Sequence, residues 1–425
     1  MAYGREQEGD AMMKWFAVLG ASLAMTMTAS AIVHGIEEIP REINGRKLDV
    51  YWQEGNVSRG EAHDERNLIL VEHPVPGTPE RGCPLYVILH SAGHDAFSTL
   101  MCTRTVGNHD IYHPPADFYA LYLDCRANSE KDWWWGAKSR KGFDEVACEK
   151  RVIDTVVWAI DKYNINSNRV YLSGNSMGGS GTLGIGLRHG DIFAAIKANV
   201  PAIKWFNHPV QSLGLNLPVL PEGAKLPDPP VTVDYSAQND DWSIGHEELI
   251  RGMRERKYQW MLFWGTYGHA NNHAQIAKKN DIIHSFDWLS VRLDQPYPAF
   301  TDASTDDPSP WPDDRKNPKP GQINGFFRWD NALADEKVVS MRLRLATAAE
   351  LKSQLFAVPI EATATVTVRR LGKFAVRPGD RIRWQFGKAT GEMTVAADGL
   401  VTVPKLTIVP EPIELKLSRP EIPNS

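Results

Sequence analysis

The sequence predicts an α/β protein: a doubly wound, mainly parallel sheet followed by a small antiparallel β-sandwich domain. In the first two thirds of the chain, apolar runs such as Leu85–Leu89 alternate with helical periodicity such as that of residues 152–160, a pattern typical of strands buried between helices. After residue 320, apolar and polar residues alternate strictly, as in 341–345, which predicts half-buried antiparallel strands. At 425 residues, two domains are expected.

The N-terminus predicts export. Lys14 precedes an apolar run over Trp15–Leu23, and small residues end at Ala29-Ser30-Ala31, the order of a cleaved secretory signal peptide. The predicted organisation is a signal peptide at 1–31, an α/β domain at 32–300, an Asp/Pro-rich linker at 301–320 and a β domain at 321–425. We expect a secreted or periplasmic protein without a membrane segment after cleavage.

Composition excludes several classes of partner. A net charge of −5 without a basic block argues against a nucleic-acid partner.

Four cysteines can oxidise in an exported protein, and the sequence does not select among their three pairings: Cys83, Cys102, Cys125 and Cys148. His269/His273 spacing alone does not make a metal site without a third ligand, and we expect neither metal nor cofactor.

The strands and helices of the α/β domain can be placed in order. Apolar runs predict strands at 85–89, 118–123, 170–172, 193–200, 231–235 and 260–264, with helices at 152–160 and 247–256 between them. Residues 205–230 lack regular periodicity and are interpreted as an insertion near the carboxyl edge of the sheet.

The strongest motif is Gly-Asn-Ser-Met-Gly-Gly at residues 174–179. It follows a buried strand directly and opens a Gly-rich helix, so Ser176 is predicted to lie exposed on a sharp strand-to-helix turn. A serine there is a candidate nucleophile, because the helix N-terminus stabilises an anion beside it.

A nucleophilic serine needs a base and an orienting carboxylate. After the strand at 231–235, either Asp240 or Asp241 can supply the carboxylate. His269 follows the strand at 260–264 and is the candidate base, with His273 as the alternative. The expected oxyanion donors are the backbone N–H groups of Met177 and Ala92.

These motifs resemble those of α/β-hydrolases of the polyhydroxybutyrate-depolymerase, feruloyl-esterase and acetyl-xylan-esterase branch. The resemblance covers about half of the chain, residues 85–294, and rests on 174–179, 239–245 and 264–269. It implies a Ser176–His269–Asp241 triad, an acyl-enzyme and no cofactor. Asp241 is favoured over Asp240 because the pattern Asp-x-x-Ile-Gly resembles the acid loop of related esterases. Ser91 departs from the family, which usually has glycine after the histidine at position 90.

The expected substrate is a carboxylic ester, with acetyl or feruloyl groups on a polysaccharide as candidates. The residues expected to contact substrate are Asn175, Trp134 and Trp242. For Trp134 the alternative is a purely structural role, as a ring packed within a loop. Two alternatives remain: a prolyl-oligopeptidase-like peptidase, disfavoured because about 50 residues separate the predicted signal from Leu85, and a non-catalytic carbohydrate-binding protein on a hydrolase scaffold. The oligomeric state is open.

Overall fold

The computed structural model describes residues 32–34, 39–54, 66–78, 82–106, 109–125, 133–134, 147–203, 227–266, 268–269, 281–308, 319–351 and 355–420. The predicted signal peptide, His273 and most of the predicted insertion lie outside these residues. The strands of the α/β part are β1 (Ile32–His34), β2 (Glu42–Ile43), β3 (Arg46–Glu54), β4 (Arg66–Glu72), β5 (Leu85–Leu89), β6 (Tyr119–Leu123), β7 (Val170–Asn175), β8 (Ala195–Asn199), β9 (Val231–Ala237) and β10 (Trp260–Gly265).

The predicted parallel sheet is present. Six strands run parallel in the order β6-β5-β7-β8-β9-β10, and β4, β3 and β1 extend the β6 edge in antiparallel pairs. The five residues of β5 and the six of β7 are all buried, as expected of strands covered on both faces. This arrangement brings the carboxyl ends of β5, β7, β9 and β10 to one edge of the sheet.

Helices cover the sheet: α1 (Ala96–Cys102), α2 (Ala147–Lys162), α3 (Met177–Gly186), α4 (His246–Glu255) and the short α5 (Asp281–His284). In α2, Val152, Val156 and Ala159 share the buried face, the i, i+4, i+7 spacing of an amphipathic helix. They pack with Val87 and Leu89 in one hydrophobic cluster, and α1 belongs to a second cluster with Tyr86 and Ile88.

The remaining strands are β11 (Tyr297–Thr301), β12 (Gly321–Ile323), β13 (Phe327–Ala334), β14 (Val338–Leu345), β15 (Ala362–Arg369), β16 (Arg381–Phe386), β17 (Ala389–Thr394), β18 (Val401–Ile408) and β19 (Ile413–Ser418). Eight of them make two antiparallel sheets, ordered β11-β15-β18 and β13-β14-β19-β16-β17. The two sheets contribute apolar side chains to the same hydrophobic cluster, and in β16 exposed Arg381 and Arg383 alternate with buried Ile382.

The predicted boundary between the two parts differs from the observed one. β11 begins before residue 301, within the predicted α/β domain, but pairs with β15, whereas β12 follows residue 320 and pairs with β10 of the large sheet. The predicted linker also makes a hydrogen bond to β12: Asp307 accepts the backbone N–H of Gln322 at 2.9 Å. The chain therefore crosses between the parts, because strand pairing over long sequence distances overrides the Asp/Pro-rich composition on which the boundary was predicted.

Two arginines at the end of β15 fasten the small sheets to the large one. The Arg370 guanidinium, 9% exposed, donates to the backbone carbonyls of Ala194 at 3.0 Å and Phe193 at 3.1 Å, just before β8. Arg369 donates to the carbonyl of Lys257 at 3.1 Å and pairs with Asp228 at 2.9 Å. The amino ends of β8, β9 and β10 are thus held by the C-terminal part.

Two expectations concern the chain as a whole. All four cysteines are buried, and the described structure contains no disulfide bond between them. Among the described residues, no helix has both the length and the hydrophobicity that crossing a bilayer requires.

Candidate active site

The Ser176 turn has the backbone that the motif predicts. Ser176 joins β7 to α3 at φ 57° and ψ −115°, a conformation that a non-glycine residue keeps only when its surroundings impose it. A Cβ on Gly178 would lie 1.9 Å from the Leu89 carbonyl oxygen, and one on Gly179 would lie 2.5 Å from that of Asn199. The glycines are therefore required so that α3 can approach β5 and β8 this closely.

Three side chains form a continuous hydrogen-bonded chain at the carboxyl edge of the sheet. Ser176 Oγ lies 2.7 Å from His269 Nε2, and His269 Nδ1 lies 2.7 Å from Asp240 Oδ2. Because an ionised carboxylate only accepts, Nδ1 carries the ring hydrogen and Nε2 is left to accept the serine proton. Asp240 is buried with its side chain 3% exposed, while the His269 side chain is 34% exposed.

The carboxylate at His269 belongs to Asp240, so the favoured assignment of Asp241 is corrected in favour of its alternative. Asp240 precedes a single 3₁₀ turn, Asp241–Ser243, and caps it: Asp240 Oδ1 accepts the N–H of Trp242 at 3.0 Å. Asp241 is the first residue inside that turn and its side chain is exposed. Capping fixes Asp240 in an extended backbone and aims its second oxygen at the imidazole.

The histidine segment is tied to the acid segment at two further points. Asn239 Oδ1 accepts the N–H of Gly268 at 2.9 Å, and Gly268 has a φ of 61° that favours glycine. The Trp242 ring lies against the imidazole of His269, with centroids 5.1 Å apart. Trp242, predicted to contact substrate, thus lies beside the candidate base. The sequence did not predict this contact of Asn239, because its partner Gly268 lies in a loop 29 residues further along the chain.

The loop after β5 presents Ala92 toward solvent. His90 is fully buried: its Nε2 accepts the N–H of Cys125 at 3.0 Å, so Nδ1 carries the hydrogen and donates to the Ser91 carbonyl at 2.8 Å. In a planar trans peptide the N–H points opposite to the C=O. Holding the Ser91 carbonyl inward therefore turns the N–H of Ala92 outward, and its role as an oxyanion donor stays a prediction.

Ser91 is held by a backbone contact and by side-chain contacts that glycine could not make. Its N–H donates to the Tyr112 hydroxyl at 3.0 Å, and its Oγ lies 2.5 Å from the same hydroxyl. Asn175 Nδ2 donates to Ser91 Oγ at 3.0 Å. Asn175, predicted to contact substrate, thus links the nucleophile motif to the loop of Ala92. Burial raises the pKa of Tyr112 well above its ordinary value, so the hydroxyl keeps its proton. No local sequence signal points to Tyr112.

Trp134 is not a substrate wall, and that prediction is corrected. The side chain is 0% exposed, and its indole N–H donates to the His90 carbonyl at 3.0 Å. A Cβ on Gly181 would lie 2.5 Å from the Trp134 Cβ. Trp134 is a buried support beneath the loop after β5, since its ring fills the space that the glycine of α3 leaves.

His94 and His109, whose rings lie beside Tyr112, contribute no positive charge near neutral pH. Burial, together with the neighbouring His94 and His113, lowers the pKa of His109 to about 4. Burial and His90 lower the pKa of His94. The His109 ring stacks on Tyr112 at 5.2 Å between centroids. These rings therefore support the Tyr112–Ser91 contact as neutral groups.

Comparisons with known proteins give one family match and a set of similar solved structures. The model of the prolyl oligopeptidase family matches residues 113–214, which include Ser176. A search of the curated proteins finds no match. Similar solved structures include an S-formylglutathione hydrolase from Agrobacterium tumefaciens, with 13% identity over 58% of this chain and 94% of that chain and a TM-score of 0.39.

Two further similar structures are a ferulic acid esterase and an acetyl xylan esterase from Aspergillus awamori. The first has 14% identity over 55% of this chain and 95% of that chain, with a TM-score of 0.39. The second has 14% identity over 41% of this chain and 69% of that chain, with a TM-score of 0.32. In its motifs, the chain resembles α/β-hydrolase serine esterases.

Proposed function

We propose that the chain is an exported serine hydrolase of carboxylic esters, with Ser176 as nucleophile, His269 as base and Asp240 as orienting acid. The observation that carries this proposal is the Ser176–His269–Asp240 chain of two 2.7 Å contacts. Nucleophile, base and orienting group in hydrogen-bond reach are the requirements for activating a serine.

In the first half-reaction, Ser176 Oγ attacks the ester carbonyl carbon while its proton passes to His269 Nε2. Asp240 stabilises the resulting imidazolium through Nδ1. The carbonyl oxygen becomes an oxyanion that the N–H groups of Met177 and Ala92 bind, and one such donor typically contributes about 10²–10³ in rate. When the tetrahedral intermediate collapses, the C–O bond breaks and the alcohol leaves with the proton from Nε2.

In the second half-reaction, water attacks the acyl-Ser176 carbonyl while His269 Nε2 accepts a proton from it. A second tetrahedral oxyanion forms in the same site. Its collapse returns the proton to Ser176 Oγ and releases the carboxylic acid. The reaction is balanced by one water and needs no cofactor.

The proposed substrates are acetyl or feruloyl esters of a polysaccharide. Esters are favoured because an alkoxide leaves more easily than an amine, which must be protonated first. A catalytic imidazole that is 34% exposed suits a bulky carrier. We assign the two antiparallel sheets, whose apolar faces share one cluster, as an accessory sandwich beside the hydrolase.

Hydrolysis of peptides is the second candidate, and the family match over residues 113–214 favours it. The test compares acetylated xylan, a feruloyl ester and aminoacyl-prolyl p-nitroanilides as substrates of wild type and Ser176→Ala. Release of acetate or ferulate that Ser176→Ala abolishes supports the esterase. Turnover of the anilides alone would replace it with a peptidase.

Export rests on the segment from Lys14 to Ala31, outside the described residues. Expression of the full chain in a bacterium, followed by N-terminal sequencing of the extracytoplasmic fraction, tests it. A mature N-terminus near residue 32 supports export, and an intact N-terminus in the cytoplasmic fraction contradicts it.

A further inference from the structure

Trp242 contacts both the acid and the base of the proposed triad. Its backbone N–H donates to Asp240 Oδ1 at 3.0 Å, and its carbonyl accepts the N–H of Ile203 at 3.0 Å. Both sides of the residue are therefore anchored, one to the acid and one to the segment after β8. Its position cannot change without moving Asp240.

The indole ring is placed where a charge forms. Its centroid lies 5.1 Å from that of the His269 imidazole, with the planes at 44°. Indole has the most negative π face among the aromatic side chains and attracts a cation within about 6 Å of its centroid. His269 is neutral before attack and cationic in the transition state, so the attraction strengthens as the reaction proceeds.

We propose that Trp242 is a positioning residue that stabilises the imidazolium form of His269 during acyl transfer. The inference rests on the proposed triad and extends it to a fourth residue. Among the residues that the structure describes, the side chains hydrogen-bonded to the imidazole are the Asp240 carboxylate, from the segment after β9, and the Ser176 hydroxyl, from the turn after β7. Asp241 lies exposed on the same 3₁₀ turn as Trp242. Both the Asp240 carboxylate and the Trp242 ring favour the protonated, cationic form of the imidazole.

The role predicts a pH effect that a substrate wall would not produce. If the ring stabilises the imidazolium, its loss makes His269 release its proton at lower pH. The acidic limb of the rate profile should then move down by about 0.5 pH unit, which is about a threefold change in the protonation equilibrium. Rate on the plateau should fall as well, because the charged transition state is less stabilised.

The experiment measures the second-order rate of inactivation by a fluorophosphonate from pH 4 to 9, a reaction that needs an activated Ser176 but no chosen substrate. Trp242→Leu removes the π face and Trp242→Phe keeps most of it. Trp158→Leu is the matched control, because Trp158 is a partly buried ring on α2 that packs on Tyr51 at 5.0 Å. Thermal melting of each variant monitors folding.

The expected result is a limb displaced to lower pH in Trp242→Leu, a smaller displacement in Trp242→Phe and none in Trp158→Leu. A limb that stays in place or moves to higher pH in well-folded Trp242→Leu overturns the inference. If Trp242→Leu does not fold, Trp242→Phe decides by the same limb. Wild type that does not react at any pH contradicts the proposed function instead.

Discussion

Asp240 Oδ2 lies 2.7 Å from His269 Nδ1, and the same carboxylate caps the 3₁₀ turn that follows it. A single side chain therefore fixes both the turn and the tautomer of the imidazole. The two roles explain why the acid occupies the residue before the turn and not the first residue within it.

The adjacent aspartates give the first prediction. Asp240→Asn should lower kcat by about 10³–10⁴, because an amide at Nδ1 no longer selects the tautomer that leaves Nε2 as acceptor. Asp241→Asn should change kcat less than about twofold, since that side chain is exposed. Steady-state hydrolysis of p-nitrophenyl acetate at pH 7.5 measures both. The reverse order of effects would contradict the assignment.

The Tyr112 hydroxyl gives the second prediction. Tyr112→Phe removes the acceptor of the Ser91 N–H, so the loop that carries Ala92 should lose its fixed orientation and kcat should fall about tenfold with little change in KM. Tyr86→Phe is the control, because Tyr86 also loses a buried hydroxyl contact, 2.7 Å to the Ile111 carbonyl. Equal loss of kcat in both variants would show that the effect is only structural.

Burial of Arg370 predicts that the C-terminal sheets and the large sheet unfold together. Arg370→Met removes the guanidinium donor from the Phe193 and Ala194 carbonyls, of which that of Ala194 keeps the Val231 N–H at 3.3 Å, and the melting temperature should fall on the order of 5–10 °C. Arg377→Met, at an exposed turn, should leave it unchanged. Calorimetry of both variants gives the answer. Two separate transitions in wild type, with only one moved by Arg370→Met, would contradict a joint unit.

Asp306 predicts a pH dependence of stability. Burial raises its pKa to about 6, although the Asn324 N–H and Arg254 oppose the shift. The native carboxyl therefore binds its proton more tightly than the unfolded one. Its contribution to stability is complete below about pH 4 and is lost as the pH rises through 6, by up to about 3 kcal/mol.

The corresponding measurement is urea unfolding of wild type and Asp306→Asn between pH 4 and 7.5. Wild type should lose free energy of unfolding across this range relative to Asp306→Asn, whose amide does not titrate and can still accept the Asn324 N–H at the present 2.8 Å. Parallel pH profiles for the two proteins would show that Asp306 titrates at an ordinary pH.

The sequence was most informative where geometry depends on neighbouring residues. The Ser176 turn requires glycines at 174, 178 and 179 within one hexapeptide, because a Cβ at these positions would collide with the backbone carbonyls of Gly178, Leu89 and Asn199, respectively. The buried strands that lead to Ser176 and to His269 were likewise predicted from continuous apolar runs. Each depends on a pattern that a short window of sequence contains.

The misassigned features depend on contacts between distant segments. Asp240 and Asp241 are neighbours of equal chemistry, and the choice follows from where a 3₁₀ turn begins. Trp134 is buried because His90 and Gly181, 44 and 47 residues away, receive its ring. The exchange of β11 and β12 between sheets depends on pairings that composition does not encode.

The central claim is an activated serine at Ser176, and intact-protein mass spectrometry after exposure to a fluorophosphonate tests it most directly. Wild type should gain the mass of one phosphonyl group, and Ser176→Ala, with an unchanged melting temperature, should gain none. No adduct on folded wild type, or an equal adduct on Ser176→Ala, would contradict the claim.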